Sequence, residues 1–212
     1  MNFSELNLSP SLLQALKEKG YETPTPIQEQ AIPIVLSGRD IIGQAKTGTG
    51  KTAAFGLPIL EKIVPEIMAP QALIMTPTRE LALQVAKEIS ELGRKNNPRI
   101  CVVYGGASIN PQISELRRGA QIVVGTPGRL LDHLERRTIN LSKIMFLVLD
   151  EADRMLDMGF IPDVKRILEH TSKDRQTMLF SATMPKEIIN LSRSYLNNPE
   201  LFKVSEDELS VE

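Results

Sequence analysis

The sequence predicts an α/β fold in which a mostly parallel β-sheet is flanked by helices on both faces. Three observations support this fold class. Short apolar runs recur along the chain, segments with helical periodicity separate them, and Ser-Pro or Thr-Pro pairs mark several helix starts. Strands that are buried on both faces read as continuous apolar runs, and the alternation of strand and helix is typical of parallel sheets.

Six of the apolar runs are predicted to be strands, at residues 40–43, 72–75, 100–104, 121–124, 145–149 and 177–180. Residues 78–95 are predicted to form a helix, because one apolar stripe recurs there with helical spacing at Leu81, Val85, Ile89 and Leu92. A second helix is predicted over residues 185–196. Helix starts are predicted where a capping residue precedes proline, at Ser9-Pro10, Thr25-Pro26 and Thr126-Pro127.

The chain of 212 residues favours one domain over residues 1–212, since about 150 residues per domain is usual. No internal repeat and no Gly/Ser-rich linker divides it. Residues 1–40 are interpreted as a helical lead-in. Residues 205–212 form an acidic tail that contains Glu206, Asp207, Glu208 and Glu212.

Composition narrows the classes of protein that the chain can belong to. The longest apolar run, residues 144–149, is far too short for a membrane helix, and the first ten residues do not resemble a secretory signal. A single cysteine, Cys101, excludes an internal disulfide and a cysteine-built zinc site, which favours a reducing, cytoplasmic location. The net charge of −1 becomes +3 without the tail (25 minus 22), so nucleic-acid binding would depend on individually placed residues.

A phosphate-binding loop is the strongest functional motif. It follows the first predicted strand and opens a helix, and it consists of Ala45, Lys46, Thr47, Gly48, Thr49, Gly50, Lys51 and Thr52. The two glycines allow backbone N–H groups to turn toward phosphate, the lysine supplies charge to the β- and γ-phosphates, and the last threonine supplies a hydroxyl for Mg²⁺. Ala45 stands where this motif usually has glycine.

A second motif, Asp150-Glu151-Ala152-Asp153, follows the strand at residues 145–149, which we expect to neighbour the strand before the phosphate loop. In phosphate-loop folds the first acid of such a pair holds Mg²⁺, usually through water, and the next can orient the attacking water. Asp150 and Glu151 are assigned these roles, and Lys51, Asp150 and Glu151 are the predicted catalytic residues. The alternative is an acidic helix N-terminus, which electrostatics favours in any protein.

With both motifs, the sequence resembles the DEAD-box family of ATP-dependent RNA helicases. Further family motifs occur in order between residues 20 and 183: the segment 20–28, Pro77-Thr78-Arg79-Glu80-Leu81-Ala82, Gly105-Gly106, Thr126-Pro127-Gly128-Arg129 and Ser181-Ala182-Thr183. The resemblance implies the RecA-like fold and specifically the first of the family's two RecA-like domains. It implies ATP and Mg²⁺ as cofactors and RNA as substrate.

The resemblance also assigns roles to single residues. Gln28 would read the adenine edge, with Tyr21 stacked on the ring and Thr23 as a further contact, although Thr25 and Gln28 also fit a capping box that closes their own helix. Ser181 and Thr183 would couple the nucleotide site to unwinding through Asp153. Their alternative role is a cap on the following helix.

The resemblance also implies that three strand-to-helix loops bind the backbone of single-stranded or locally duplex RNA without sequence preference. They lie at one edge of the sheet and contribute Pro77, Thr78, Arg79, Gly105, Gly106, Thr126, Pro127, Gly128 and Arg129. No aromatic stacking platform is expected among them, since the chain has six Phe, three Tyr and no Trp.

Family members carry a second RecA-like domain that supplies arginine fingers, and this sequence shows no counterpart to it. We therefore interpret residues 205–212 as the tail or the start of an interdomain linker, and expect residues 1–212 alone to be nearly inactive. Two alternatives stay open: a nucleotide-responsive binding module without turnover, and a DNA translocase on the same scaffold.

Overall fold

Seven strands form one parallel sheet in the computed structural model, which describes residues 1–204. The predicted acidic tail at residues 205–212 lies outside the described residues. The strands are β1 Ile41–Gln44, β2 Ala72–Met75, β3 Ile100–Val103, β4 Ile122–Gly125, β5 Phe146–Leu149, β6 Gln176–Ser181 and β7 Glu200–Lys203. The six predicted strands are confirmed, and no boundary shifts by more than one residue.

Nine α-helices occur within residues 1–204, of which α1 and α2 precede β1 and the other seven connect the strands. They are α1 Pro10–Glu18, α2 Pro26–Leu36, α3 Lys51–Lys62, α4 Arg79–Leu92, α5 Ile109–Arg117, α6 Pro127–Glu135, α7 Ala152–Asp157, α8 Ile161–Glu169 and α9 Lys186–Tyr195. A short 3-10 helix, Phe3–Leu6, precedes α1, so three helical segments precede β1. The three predicted Pro-marked starts are also confirmed at α1, α2 and α6. The longest of these helices has 14 residues, and none in the described part of the chain is long and apolar enough to span a membrane.

The strand order is β3-β4-β2-β5-β6-β1-β7, and every neighbouring pair is parallel. The α/β fold class is thereby confirmed. One expectation was wrong, because the strand before the acidic motif does not neighbour β1: β6 lies between β1 and β5. Order along the chain does not dictate order in a sheet, since a crossover helix can carry the next strand past a neighbour.

Apolar side chains fill both faces of the sheet, as the continuous apolar runs predict. One face packs against α2, α3 and α4, where Phe55 and Phe180 are fully buried with ring centroids 5.5 Å apart. The other face packs against α6, α8 and α9 around Leu147 and Leu179. Cys101 is buried there, and burial raises its pKa to about 12, so it is a packed and unreactive thiol.

Strand β7 was not predicted, because its side chains alternate between half-buried and exposed and no apolar run marks it. It pairs with β1 on the outer edge of the sheet. Asp40 secures this edge, since its Oδ1 accepts from Thr177 N–H at 2.9 Å and its Oδ2 accepts from Asn197 N–H at 2.6 Å. As a result, β1 is an interior strand and the loop that follows it has a paired strand on each side.

Candidate nucleotide site and nucleic-acid face

The phosphate loop leaves β1 at the carboxyl edge of the sheet and opens α3. Gly48 and Gly50 both have φ +82°, the left-handed region in which a side chain is strained. Within the loop, the hydroxyl of Thr49 donates to the carbonyl of Lys46 at 2.9 Å. The loop is joined to β6, because Ala45 N–H donates to the carbonyl of Ser181 at 3.2 Å.

The predicted catalytic residues come together in front of this loop. Lys51 Nζ lies 3.0 Å from Asp150 Oδ1 and 3.9 Å from Glu151 Oε1. All three side chains are nearly inaccessible, with exposed fractions of 8%, 1% and 10%. Burial raises the pKa of Asp150 above its ordinary value, and the charge of Lys51 opposes that shift. The intervening strand β6 does not separate them, because the first turn of α3 carries Lys51 across its end.

Glu151 has an unusual backbone conformation. It is the N-cap of α7 and has φ +51°, which costs a residue other than glycine on the order of 1–3 kcal/mol. Arg154, one turn further on, places its Nη1 3.4 Å from Glu151 Oε2. The backbone strain and this ion pair both fix where the Glu151 carboxylate points.

Asp150 and Thr52 were predicted to hold Mg²⁺, and Asp150 fits that role. Its Oδ1 is fully buried, and besides the Lys51 ammonium it has no protein partner in residues 1–204, so it is available to a metal-bound water. The hydroxyl of Thr52 interacts with the Glu88 carboxylate, where it opposes the rise in the pKa of Glu88 that burial causes. No cluster of three metal-binding side chains occurs in the described chain.

A cavity of about 510 Å³ lies beside the phosphate loop and contains the residues predicted to bind adenine, Tyr21, Thr23 and Gln28. Both ends of the Gln28 side-chain amide contact the protein. Its Oε1 accepts from Thr25 N–H at 3.0 Å, as a capping box requires, and its Nε2 donates to the carbonyl of Gly50 at 3.0 Å. The ring of Tyr21 is 37% exposed, and Lys19 Nζ lies 5.3 Å from its centroid.

The residues predicted to couple nucleotide and RNA are in direct contact. Thr183 donates to Asp153 Oδ2 through its hydroxyl at 2.9 Å and its N–H at 3.1 Å, while Ser181 Oγ accepts from Asp153 N–H at 3.0 Å. Burial raises the pKa of Asp153, but the hydrogen bonds outweigh it, so this pKa lies below its ordinary value. The alternative role as a cap does not apply, because Pro185 is the N-cap of α9.

The three predicted RNA-binding loops lie side by side, because they follow the adjacent strands β3, β4 and β2. We call this surface, residues 76–79, 104–107 and 126–129, the RNA face. Arg79, Gly105, Gly106 and Gly128 are exposed, whereas Pro77 and Pro127 are buried and Thr78 and Thr126 are half-buried. The Thr78 hydroxyl accepts from Leu81 N–H at 3.2 Å, so this N–H group at the start of α4 is capped by the protein.

One aromatic residue borders these loops, although nothing in the sequence pattern singled it out. Tyr104 directly precedes Gly105, and the guanidinium of Arg79 lies 4.6 Å from the centroid of its ring. The sequence did not reveal this pair, because Arg79 begins α4 and Tyr104 follows β3, and only the fold brings them together. Gln112 was not among the predicted site residues, although its Oε1 accepts from Arg129 Nη1 at 3.3 Å and lies 2.9 Å from His133 Nε2.

Fold and site together define a phosphate-loop domain of the RecA-like class. A sequence model of the DEAD/DEAH box helicase family matches residues 25–191, which is most of the chain. The chain therefore belongs to the DEAD/DEAH box helicase family.

Similar proteins agree with this assignment. The chain is 55% identical to an ATP-dependent RNA helicase CshA of Limosilactobacillus reuteri and 49% identical to the DEAD-box ATP-dependent RNA helicase CshA of Bacillus subtilis. Each match covers 100% of this chain and 43% of the relative, so the chain spans less than half the length of these relatives. A crystal structure of a DEAD box protein from the hyperthermophile Methanococcus jannaschii matches 97% of this chain and 56% of that one, with a TM-score of 0.94 and 50% identity.

Proposed function

We propose that this chain is the ATP-binding and RNA-binding first RecA-like domain of a DEAD-box ATP-dependent RNA helicase. Joined to a second RecA-like domain, it would couple RNA-stimulated ATP hydrolysis to local RNA unwinding or remodelling of RNA–protein complexes. The observation that carries this proposal is the buried pair of Lys51 and Asp150, 3.0 Å apart in front of a phosphate loop. The printed names of the relatives, which are ATP-dependent RNA helicases, support it.

The residues at the phosphate loop divide the chemistry among them. Lys51 would move from Asp150 to the β- and γ-phosphates, and Asp150 and Thr52 would hold Mg²⁺. The bound Mg²⁺ would neutralise charge that develops on the phosphate oxygens. Glu151, whose direction the strained backbone fixes, would orient the attacking water. Asp153, Thr183 and Ser181 would carry the position of this acidic loop to the neighbouring strand end.

The RNA face would bind phosphate and sugar rather than base edges. Arg79 and Arg129 supply charge, and exposed glycines allow the RNA backbone to approach the protein backbone closely. Binding should therefore be sequence-nonspecific and sensitive to salt. A cytoplasmic location belongs to the same proposal and rests on the single buried Cys101.

Nucleotide selectivity tests the adenine pocket. Fluorescent ADP and GDP are titrated with Mg²⁺ into the unaltered chain, Gln28→Met and Gln30→Met, the last serving as a control on the same helix. We expect the unaltered chain and the control to prefer ADP and Gln28→Met to lose most of that preference, because the amide pairs with the adenine edge. Equal affinities in the unaltered chain would leave Gln28 as a helix cap only.

Dependence on a second domain tests the proposed division of labour. Steady-state ATP hydrolysis is measured with and without single-stranded RNA, for residues 1–212 and for the same residues joined to a second RecA-like domain. An arginine finger contributes on the order of 10³ to 10⁵ in rate, so the chain alone should be nearly inactive. RNA-stimulated turnover by residues 1–212 alone at the rate of the joined protein would require a catalytic arginine within this chain.

Glu151→Gln tests the water-orienting role in the joined protein. The variant should keep ATP affinity and lose about 100-fold or more in hydrolysis, because it removes a carboxylate used only in the transition state. Glu169→Gln, on α8, is the matched control. Substantial turnover by Glu151→Gln would show that another group orients the water.

A further inference from the structure

We propose that Gln112 and His133 are positioning residues for RNA binding: together they set the direction of the Arg129 guanidinium and the backbone course of residues 104–107. This inference rests on the proposed RNA-binding function. Neither residue belongs to the loops of the RNA face. Both lie beneath it, with 6% and 0% of their surface exposed.

The Arg129 side chain is held against the protein rather than extended into solvent. Its exposed fraction is only 13%. Nη2 donates to the carbonyl of Ala107 at 3.0 Å, and Nη1 donates to Gln112 Oε1 at 3.3 Å. Because a guanidinium has five N–H groups, these two bonds fix its plane without using all of its donors. The remaining N–H groups can then face a phosphate in a direction that the protein determines.

One buried amide connects the loops. Gln112 Nε2 donates to the carbonyl of Tyr104 at 2.9 Å, and Gln112 Oε1 accepts from both Arg129 and His133. The carbonyl partner fixes which end of the amide is the donor. Gln112 therefore joins Tyr104, at the start of the loop formed by residues 104–107, to Arg129, which follows β4. We call residues 104–107 the glycine loop.

His133 holds that amide in place. It lies four residues after Arg129 on α6 and therefore on the same helix face. Its Nε2 lies 2.9 Å from Gln112 Oε1, and its Nδ1 lies 2.7 Å from Thr138 Oγ1. Since Oε1 can only accept, Nε2 carries the proton. Burial, with the nearby charge of Arg129, lowers the pKa of His133 and favours this neutral form.

The glycine loop is thus held from two sides. Arg79 lies over the ring of Tyr104, while Gln112 binds the carbonyl of the same residue. Losing the Gln112 amide would leave the Tyr104 carbonyl and the His133 N–H without these partners in a buried site. These groups could regain hydrogen bonds only if the loop or Arg129 moved. Such a movement would displace the charge-assisted contact between Arg129 and RNA, and loss of a contact of this kind typically weakens binding about tenfold.

The test measures the affinity of residues 1–212 for a fluorescein-labelled single-stranded oligouridine over a range of salt concentrations. Five single variants are compared, Gln112→Met, His133→Leu, His133→Gln, Arg129→Ala and Gln176→Met, together with the double variant that combines Gln112→Met and Arg129→Ala. Gln176→Met is the matched control, because Gln176 is also a buried glutamine whose amide donates to two carbonyls, those of Val35 and Arg39, both at 2.7 Å. It lies at the start of β6, away from the RNA face.

We expect Gln112→Met and His133→Leu to weaken RNA binding about tenfold. The slope of log affinity against log salt should also become shallower by about 0.7, as for Arg129→Ala, although neither variant removes a charge that contacts RNA. Adding Arg129→Ala to Gln112→Met should cause little further loss. His133→Gln, which retains an N–H donor, should lie near the unaltered chain, as should Gln176→Met.

The outcomes distinguish the positioning role of Gln112 and His133 from RNA binding by the RNA face. If Arg129→Ala weakens binding and flattens the salt slope while Gln112→Met and His133→Leu do neither, the positioning role is wrong and the RNA face stands. If the unaltered chain binds no oligouridine at low salt, both claims fail. Nucleotide affinity and thermal unfolding report whether each variant folds. Should Gln112→Met not fold, the contrast between His133→Leu and His133→Gln decides.

Discussion

The two halves of the sheet present neighbouring surfaces that are held by different forces. At the ends of β1, β6 and β5, buried charges face one another, with Lys51 between two carboxylates. At the ends of β2, β4 and β3, Arg129 donates to an uncharged amide and a backbone carbonyl, and the only carboxylate paired with it in the described residues, that of Asp132, is partly exposed and 3.9 Å away. A buried charge tolerates loss of its partner poorly, whereas a neutral acceptor loses one hydrogen bond. The nucleotide half should therefore be the more fragile of the two.

Removing one positively charged side chain from each half of the sheet gives the largest expected difference in the free energy of unfolding. Lys51→Met leaves Asp150 buried without its partner and should cost about 3–5 kcal/mol in the free energy of unfolding. Arg129→Met should cost about 1–2 kcal/mol. Urea unfolding at neutral pH measures both. Lys51→Met combined with Asp150→Asn should recover most of the loss, and equal costs for the two single variants would contradict the comparison.

Two glycines of the phosphate loop allow a finer comparison within the nucleotide half of the sheet. Gly48 and Gly50 share φ +82°, so alanine at either should cost about 1–2 kcal/mol. Only at Gly50 would the new methyl group meet other atoms, 2.5 Å from Gln28 Nε2 and 2.8 Å from Thr25 Oγ1. Gly50→Ala should therefore reduce the preference for ADP over GDP more than Gly48→Ala does, as nucleotide titration would show. An equal reduction would mean that Gln28 is not linked to the loop.

The smallest expected effect concerns the hydroxyl contact at Asp153. Its pKa is depressed, so its contribution to stability is present above the unfolded pKa and is lost as pH falls through the lower folded value. Thr183→Val should raise this pKa toward its ordinary value, and a carboxyl NMR titration measures the change. Thr23→Val, at an exposed threonine, is the control. An unchanged pKa in Thr183→Val would assign the depression to other donors.

The same comparison explains what the sequence could predict. The phosphate loop is contiguous, and its strand-loop-helix setting is local, so residues 45–52 could be placed without a structure. The contact of Asp153 with Thr183 was predictable because both residues belong to motifs. In contrast, the Gln112 network joins residues up to 21 positions apart that no motif connects, and only tertiary packing buries them together.

Strand order and the last strand also required the structure. The position of β6 between β1 and β5 depends on how crossover helices pack, which local patterns do not encode. Strand β7 lacks an apolar run because alternate side chains, those on one of its two faces, are exposed. The pairing of Arg79 with Tyr104 arises from two separate loops whose distance apart depends on the order of β3, β4 and β2.

Strand β7 also determines where any later part of the polypeptide begins. It runs parallel to β1 in register, Gln44 opposite Lys203, and Val204 N–H donates to the carbonyl of Gln44 at 3.0 Å. Adjacent strands are only about 5 Å apart, so the chain passes residue 204 close to the start of the phosphate loop. A domain attached beyond that point would be tethered near bound nucleotide, at an effective concentration in the millimolar range for a short flexible connection. Its encounter with the nucleotide would then be unimolecular and independent of protein concentration.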